Sequence, residues 1–248
     1  MTMRLNVIIC LSAFSLVRAQ PPQADREISW KELIPNILED QERIWSFPVQ
    51  LIHGNELLPT AAIVGVTAGL AAGVDPIEGR YFRDTTQFKS FNNVFTSNAT
   101  SYTMVAVPTA LYAVGFFRKD SRMKNTALLA GEAVADVEIV TEALKTASSR
   151  LRPSAVAPRG NYGDTWTEGS IGSTSHASFP SGHTIVAFSI ATVVARRYPG
   201  HRWLPFVAYG LAGAVGFSRM SLSAHFAADV FAGAALGYSI SRFDVLRQ

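Results

Sequence analysis

Cysteine is all but missing from this chain. The single one in 248 residues, Cys10, falls within the first twenty positions. A disulfide scaffold and thiol chemistry are therefore excluded from everything that follows that leader. Charge is scarce too: Asp, Glu, Lys and Arg make up 17% of the residues, against about 25% in an ordinary soluble domain. The formal net charge is +3, and without Arg4 and Arg18 the remainder holds 20 basic against 19 acidic residues. No basic stripe is present, so nucleic acid is excluded as a partner. There is no internal repeat, no low-complexity tract and no dinucleotide fingerprint. No Cys-His cluster, Asp-rich cluster or His-Glu-x-x-His pattern offers metal ligands. Strand-type alternation between hairpin turns is also lacking. Long uncharged runs are few: Leu57 to Val74 only just reaches spanning length and contains Pro59, and Trp203 to Phe217 falls short. These runs predict a soluble or membrane-apposed domain rather than a multispan protein.

What is present is apolar and helix-like. Arg4, the apolar run Leu5 to Val17 and the Val17-Arg18-Ala19 site before Gln20 read as a signal peptide over residues 1–19. Residues 20–248 then form a single domain, and about 229 residues are enough for one core. A cysteine-free exported chain is expected in a bacterial periplasm, with membrane association open. Asn98-Ala99-Thr100 is a glycosylation pattern that matters only in a eukaryotic secretory pathway.

Trp30 to Trp45 is predicted helical and ended by Pro48 and His53-Gly54-Asn55. Leu57 to Val74 follows, stopped by Asp75-Pro76, then a polar connection from Gly79 to Ser101 and an apolar Tyr102 to Phe117. Asn125 to Leu144 is an amphipathic helix with Leu129, Ala133, Val137, Val140 and Leu144 on one face. Its acids Glu132, Asp136, Glu138 and Glu142 are expected on a solvated face. Ser154 to Ser178 is a Gly- and Ser-rich loop, long enough to be a lid or substrate loop. Thr184 to Ala195, Trp203 to Phe217 and Phe226 to Ile240 complete an all-α, compact helical bundle of about six core helices plus an N-terminal one.

Three clusters of charged residues stand out in this apolar background. The first is Lys145, six residues, then Arg152-Pro153. Seven residues is two helical turns, so both cations can share a face, and the proline turns Arg152 out of helical geometry. The second is Phe179-Pro180-Ser181-Gly182-His183, a turn that opens a helix. The first amides of a helix lack partners and carry partial positive charge, so Ser181 and Gly182 can cradle an anion with His183 beside it. The third is Ser218-Arg219, then His225 and Asp229, the last two neighbours at i and i+4. Each cluster also has a structural reading: a solvated helix end, a capped helix, an internal hydrogen bond. Together, three cations and an anion-binding turn suit a tetrahedral oxyanion such as phosphate. A histidine beside a carboxylate suits a nucleophile or base, and a second histidine suits a general acid.

This order of residues resembles the three-part signature of the type-2 phosphatidic acid phosphatase superfamily at every motif position. The superfamily is related to bacterial acid phosphatases and vanadium haloperoxidases. The resemblance implies a helical bundle and a metal-independent phosphoric monoester hydrolase acting on a phosphorylated small molecule or a lipid phosphate or diphosphate. It implies His225 as nucleophile forming a phospho-histidine, oriented by Asp229, with His183 as general acid. Lys145, Arg152 and Arg219, with Ser181 and Gly182, would hold the phosphoryl oxygens. No cofactor is implied, vanadate serving only as a phosphate mimic or inhibitor. Under the alternative of a haloperoxidase, vanadate would be the cofactor; a non-catalytic phosphate-binding relative is the other alternative.

Overall fold

A computed structural model describes residues 28–51, 57–157, 159–166 and 177–247. The segment expected to be a signal peptide, His53-Gly54-Asn55 and the middle of the 154–178 loop lie outside the described residues. Those residues form nine α-helices and no strand: α1 Leu33–Leu51, α2 Leu57–Gly73, α3 Asp75–Asp84, α4 Lys89–Val94, α5 Ser97–Phe117, α6 Ser121–Ser148, α7 Gly182–Arg197, α8 Leu204–Ser221 and α9 Ala227–Ser239. A 3-10 turn, Pro153–Ala155, follows α6, and a π-helical turn, Ile240–Val245, follows α9. The all-α expectation holds.

Several boundaries moved for identifiable reasons. Pro48 does not end the first helix but lies inside α1. Asp75-Pro76 is a restart rather than a stop: Pro76 sits in the first turn of α3, where a missing N–H costs nothing, and the chain bends by 55° between α2 and α3. The stretch from Gly79 to Ser101 is not a connection, since it contains most of α3, all of α4 and the start of α5. Thr96 caps α5 by accepting from the Ala99 amide at 3.1 Å, and Asp120 caps α6 by accepting from Met123 at 3.0 Å. Helix α6 ends at Ser149, which takes the left-handed conformation at φ 41°.

Helix α7 is the centre of the bundle, flanked by α6, α8 and α9. Leu129, Ala133 and Val137 of α6 are buried against Ile185 and Val193 of α7, with Ile240 and Val245 closing the far end. Glu132 and Asp136 are a correction to the solvated-face expectation, for both are fully buried. Helix α1 covers that side of α6: Asn36 Nδ2 donates to Glu132 at 3.1 Å and Gln41 Nε2 to Asp136 Oδ1 at 2.9 Å. Glu138 and Glu142 are exposed as expected.

Helix α9 approaches α7 through Gly233 and Gly237. A Cβ on Gly237 would stand 2.2 Å from the Ile185 carbonyl oxygen, and one on Gly233 2.9 Å from that of Ser181. Backbone cannot yield as a flexible side chain does, so Gly237→Ala is expected to cost about 1–3 kcal/mol or more. In thermal melts it should lower Tm clearly. Gly213→Ala, where a Cβ meets nothing within 4 Å, should be neutral or gain up to about 1 kcal/mol from helix propensity. Equal Tm for both variants would overturn the close-approach argument.

Helix α2 has no buried residue. Among the described helices α5 alone is long and apolar enough to cross a membrane, and 11% of its apolar window is buried; α2 and α3 pass the same test jointly as a bent pair. Leu58, Val64, Tyr102, Val105, Phe117 and Phe206 are all exposed.

Candidate active site

Helix ends assemble the site. Lys145 lies in the last turn of α6, Gly182 and His183 open α7, Arg219 lies in the last turn of α8, and His225 and Asp229 flank the start of α9. Lys145, Arg152, Gly182, His183, Arg219 and His225 meet at one end of a cavity of about 510 Å³. Met104, Val105, Pro108, Val134 and Val186 line the rest of it, with Ser97, Ser101 and Glu138 at its polar points. The chain therefore places a cationic pole at the foot of an apolar cleft between α5, α6 and α7.

Two of the eight sequence-derived residues stay behind the cavity wall. Ser181 is fully buried; its amide donates to the Asp229 carbonyl at 3.1 Å and its hydroxyl pairs with Thr184 Oγ1 at 2.8 Å. It occupies the cap position of α7 without capping through its side chain. Asp229 is also fully buried. Its Oδ1 accepts from Arg150 Nη1 at 2.5 Å, and its Oδ2 from the Ser178 hydroxyl at 2.5 Å and the Phe226 amide at 2.8 Å. It stands 3.8 Å from His225 Nδ1, outside hydrogen-bond reach. The imidazole instead bonds the Ser178 carbonyl oxygen, 2.6 Å from Nδ1. A carbonyl only accepts, so Nδ1 carries the proton and Nε2 keeps a lone pair.

The cations differ in how committed they are. Lys145 Nζ reaches Glu142 at 3.2 Å and lies 3.6 Å from where a Gly182 Cβ would stand, so the glycine leaves the ammonium beside the first turn of α7. Arg152 Nε is buried and makes no hydrogen bond among the described residues. Arg219 is fully buried, with its fork tied to Ser97 Oγ at 3.0 Å, Ser218 Oγ at 2.9 Å, Thr100 Oγ1 at 3.3 Å and the Phe95 carbonyl. Burial brings it down to about 10, which leaves it cationic at neutral pH.

The two histidines are pushed the same way. Burial lowers His225 below its ordinary value against the opposing pull of Asp229. Burial and then the Arg219 charge lower His183 to about 4. His183 Nε2 lies 3.0 Å from Ser101 Oγ and 3.2 Å from the Ser97 carbonyl. Burial would raise the Asp229 carboxyl, but His225 and the Arg150 guanidinium outweigh it and hold it below the usual carboxylate range.

Sequence reasoning missed Arg150, Ser178, Asp75 and Glu78. Asp75 Oδ1 accepts from the Ala228 amide at 3.0 Å and Glu78 Oε1 from Ala227 at 2.8 Å. With Asp229 on the Phe226 amide, three carboxyl groups occupy the amides that open α9, and burial pushes Glu78 up to about 8. The α9 terminus is thus already capped by side-chain oxygens, and the α7 terminus is the one that faces the cavity. Arg150 had a visible signal, being a second arginine two positions before Arg152. Asp75 and Glu78 had none, as they lie about 150 residues from the amides they cap.

Residues 126–245 match the model of the PAP2 superfamily. That region holds all three motifs, and the superfamily it matches is the type-2 phosphatidic acid phosphatase group that they resemble. A stretch of 61 residues, 24% of this chain, is 41% identical to a lipid A 1-phosphatase of Porphyromonas gingivalis, and the match spans 14% of that protein's length. The crystal structure of a transmembrane PAP2 type phosphatidylglycerolphosphate phosphatase from Bacillus subtilis aligns with 85% of this chain and 90% of that one, at 20% identity and a TM-score of 0.41.

Proposed function

We propose that the protein is a phosphatase acting on lipid phosphates through a phospho-histidine. One observation carries this reading: a cationic pole bearing two histidines lies at the foot of an apolar cleft of about 510 Å³, a shape that suits an amphiphile with a phosphate head. Lys145, Arg152 and Arg219 hold the phosphoryl oxygens together with the first turn of α7. The Nε2 lone pair of His225 attacks phosphorus as the bond to the leaving oxygen breaks, and His183 gives that oxygen its proton. Water then attacks phosphorus, His183 takes back a proton, and the P–N bond breaks to release inorganic phosphate and restore His225. The fixed cations neutralise charge that a divalent ion neutralises in other phosphatases, so no metal is required. The exposed apolar faces of α2 and α5 support membrane association, because large apolar patches on a free surface are rare. The leader pattern at residues 1–19 supports export.

Phosphate release tests this in mixed micelles under exhaustive chelation, with phosphatidic acid, a sugar phosphate and an aryl phosphate as substrates. Activity should survive chelation, and kcat/KM should favour the lipid by about tenfold or more, as burial of only a few methylenes already supplies that much. Loss of activity restored by a divalent ion would sink the metal-free reading. Equal rates on lipid and sugar phosphates would sink the lipid assignment. Vanadate-dependent oxidation of halide by peroxide, with no phosphate release, would assign the site to haloperoxidase chemistry.

A further inference from the structure

Arg150 belongs to none of the three motifs, yet it is 1% exposed. Its guanidinium is held between the rings of Trp166 and Phe226, 4.3 Å from each centroid. Nη1 donates to Asp229 at 2.5 Å, Nη2 to Asp75 at 2.6 Å and Nε to Thr165 Oγ1 at 3.2 Å. Burying this charge is costly, and a purely structural bundle would do as well with apolar residues here.

The geometry of the nucleophile depends on what Arg150 holds. The proton on His225 Nδ1 is placed by the Ser178 carbonyl, not by Asp229. Ser178 is fully buried and is itself pinned twice: its amide donates to the Arg150 carbonyl at 2.7 Å and its hydroxyl to Asp229 Oδ2. Arg150 therefore grips Ser178 directly through its backbone and indirectly through Asp229. The Asp75 end of its fork also ties in α3, which lies outside the region matched to the superfamily.

We infer that Arg150, acting through Ser178 and Asp229, is the positioning residue of the nucleophile. It keeps the Ser178 carbonyl where it holds the proton on Nδ1 of His225 and leaves Nε2 aimed into the cavity. The inference rests on His225 being the nucleophile. Asp229 acts on the imidazole at one remove, by its charge and through the serine. Neither Arg150 nor Ser178 touches substrate, so their loss lowers turnover while binding of the phosphate is largely kept. A displacement of about 1 Å at the attacking atom can cost about a hundredfold.

The experiment uses the full chain in micelles, with nitrogen-15 in its histidines and His225 assigned by comparison with His225→Gln. Wild type should show neutral His225 with its proton on Nδ1. Ser178→Ala and Arg150→Met should show mixed tautomers, and kcat per folded molecule should drop about a hundredfold with KM changed by less than about threefold. Arg150→Lys should recover only part, since an ammonium cannot reproduce the planar fork. A proton on Nε2 in wild type overturns the inference outright, whether or not Arg150→Met folds. So does Ser178→Ala or Arg150→Lys with kcat within about threefold of wild type and an unchanged tautomer, the result expected of a purely structural role. Failure of the nucleophile reading is seen separately, as activity retained in His225→Ala, and removes this inference with it.

Discussion

His225→Ala should abolish turnover on every phosphate ester, because no neighbouring group can take over covalent transfer to phosphorus. Removing a nucleophile costs about 10⁴-fold or more. An acid-labile phospho-enzyme trapped from wild type should vanish in the variant. A residual rate above about a tenth of wild type would remove His225 from the reaction. The pH dependence carries the same assignment. Attack needs neutral His225, and burial lowers its pKa, so the neutral form persists below the ordinary value of about 6.5. Rates should rise with pH through that pKa, and the acid limb of kcat/KM should lie below about 6.5 on substrates whose own ionisation is accounted for. An acid limb above 7 would contradict the buried, Nδ1-protonated imidazole.

His183→Ala should separate substrates by leaving group. A general acid typically supplies about 10²- to 10⁴-fold, and the need for it grows with the basicity of the leaving oxygen. An alkoxide from a lipid or sugar phosphate needs the proton; a nitrophenolate hardly does. The alkyl ester should therefore lose about a hundredfold or more relative to the aryl ester. Burial and the Arg219 charge hold His183 at about 4. A bound phosphate dianion opposes that push and raises the pKa, so the proton is available when substrate is present. As pH rises through this raised value, kcat on alkyl esters should fall, and the aryl profile should lack that limb. An unchanged alkyl-to-aryl ratio in His183→Ala would show that the side chain only packs against Ser97 and Ser101.

The residues that meet substrate under this reading were legible in the sequence. Lys145, Arg152, Gly182, His183, Arg219 and His225 sit at the ends of apolar segments, and helix ends mark themselves by proline, glycine and serine. The all-α class was legible for the same reason, since the periodicity of Leu129, Ala133 and Val137 is a property of neighbouring residues. The acids of α6 show where this stops. Periodicity finds the apolar face of a helix but says nothing about what covers its other sides, so Glu132 and Asp136 looked solvated until α1 was found over them.

The same limit applies to the carboxylate beside His225. Spacing of four residues places Asp229 near His225, and local geometry can say no more than that. Its oxygens are claimed by Arg150, Ser178 and the Phe226 amide. The choice among those partners depends on Asp75 and on the 178–182 turn, brought in from distant parts of the chain. Ser181, in the same way, has the sequence of an anion-binding cap, yet its amide is taken by Asp229. The chemistry of the cationic pole and its two histidines is written in short-range sequence, because each group needs only its own helix end to present it. Which hydrogen bond aims the imidazole, and which helix terminus stays open to an anion, were decided by tertiary packing. A buried donor or acceptor takes whichever partner the fold brings within about 3 Å.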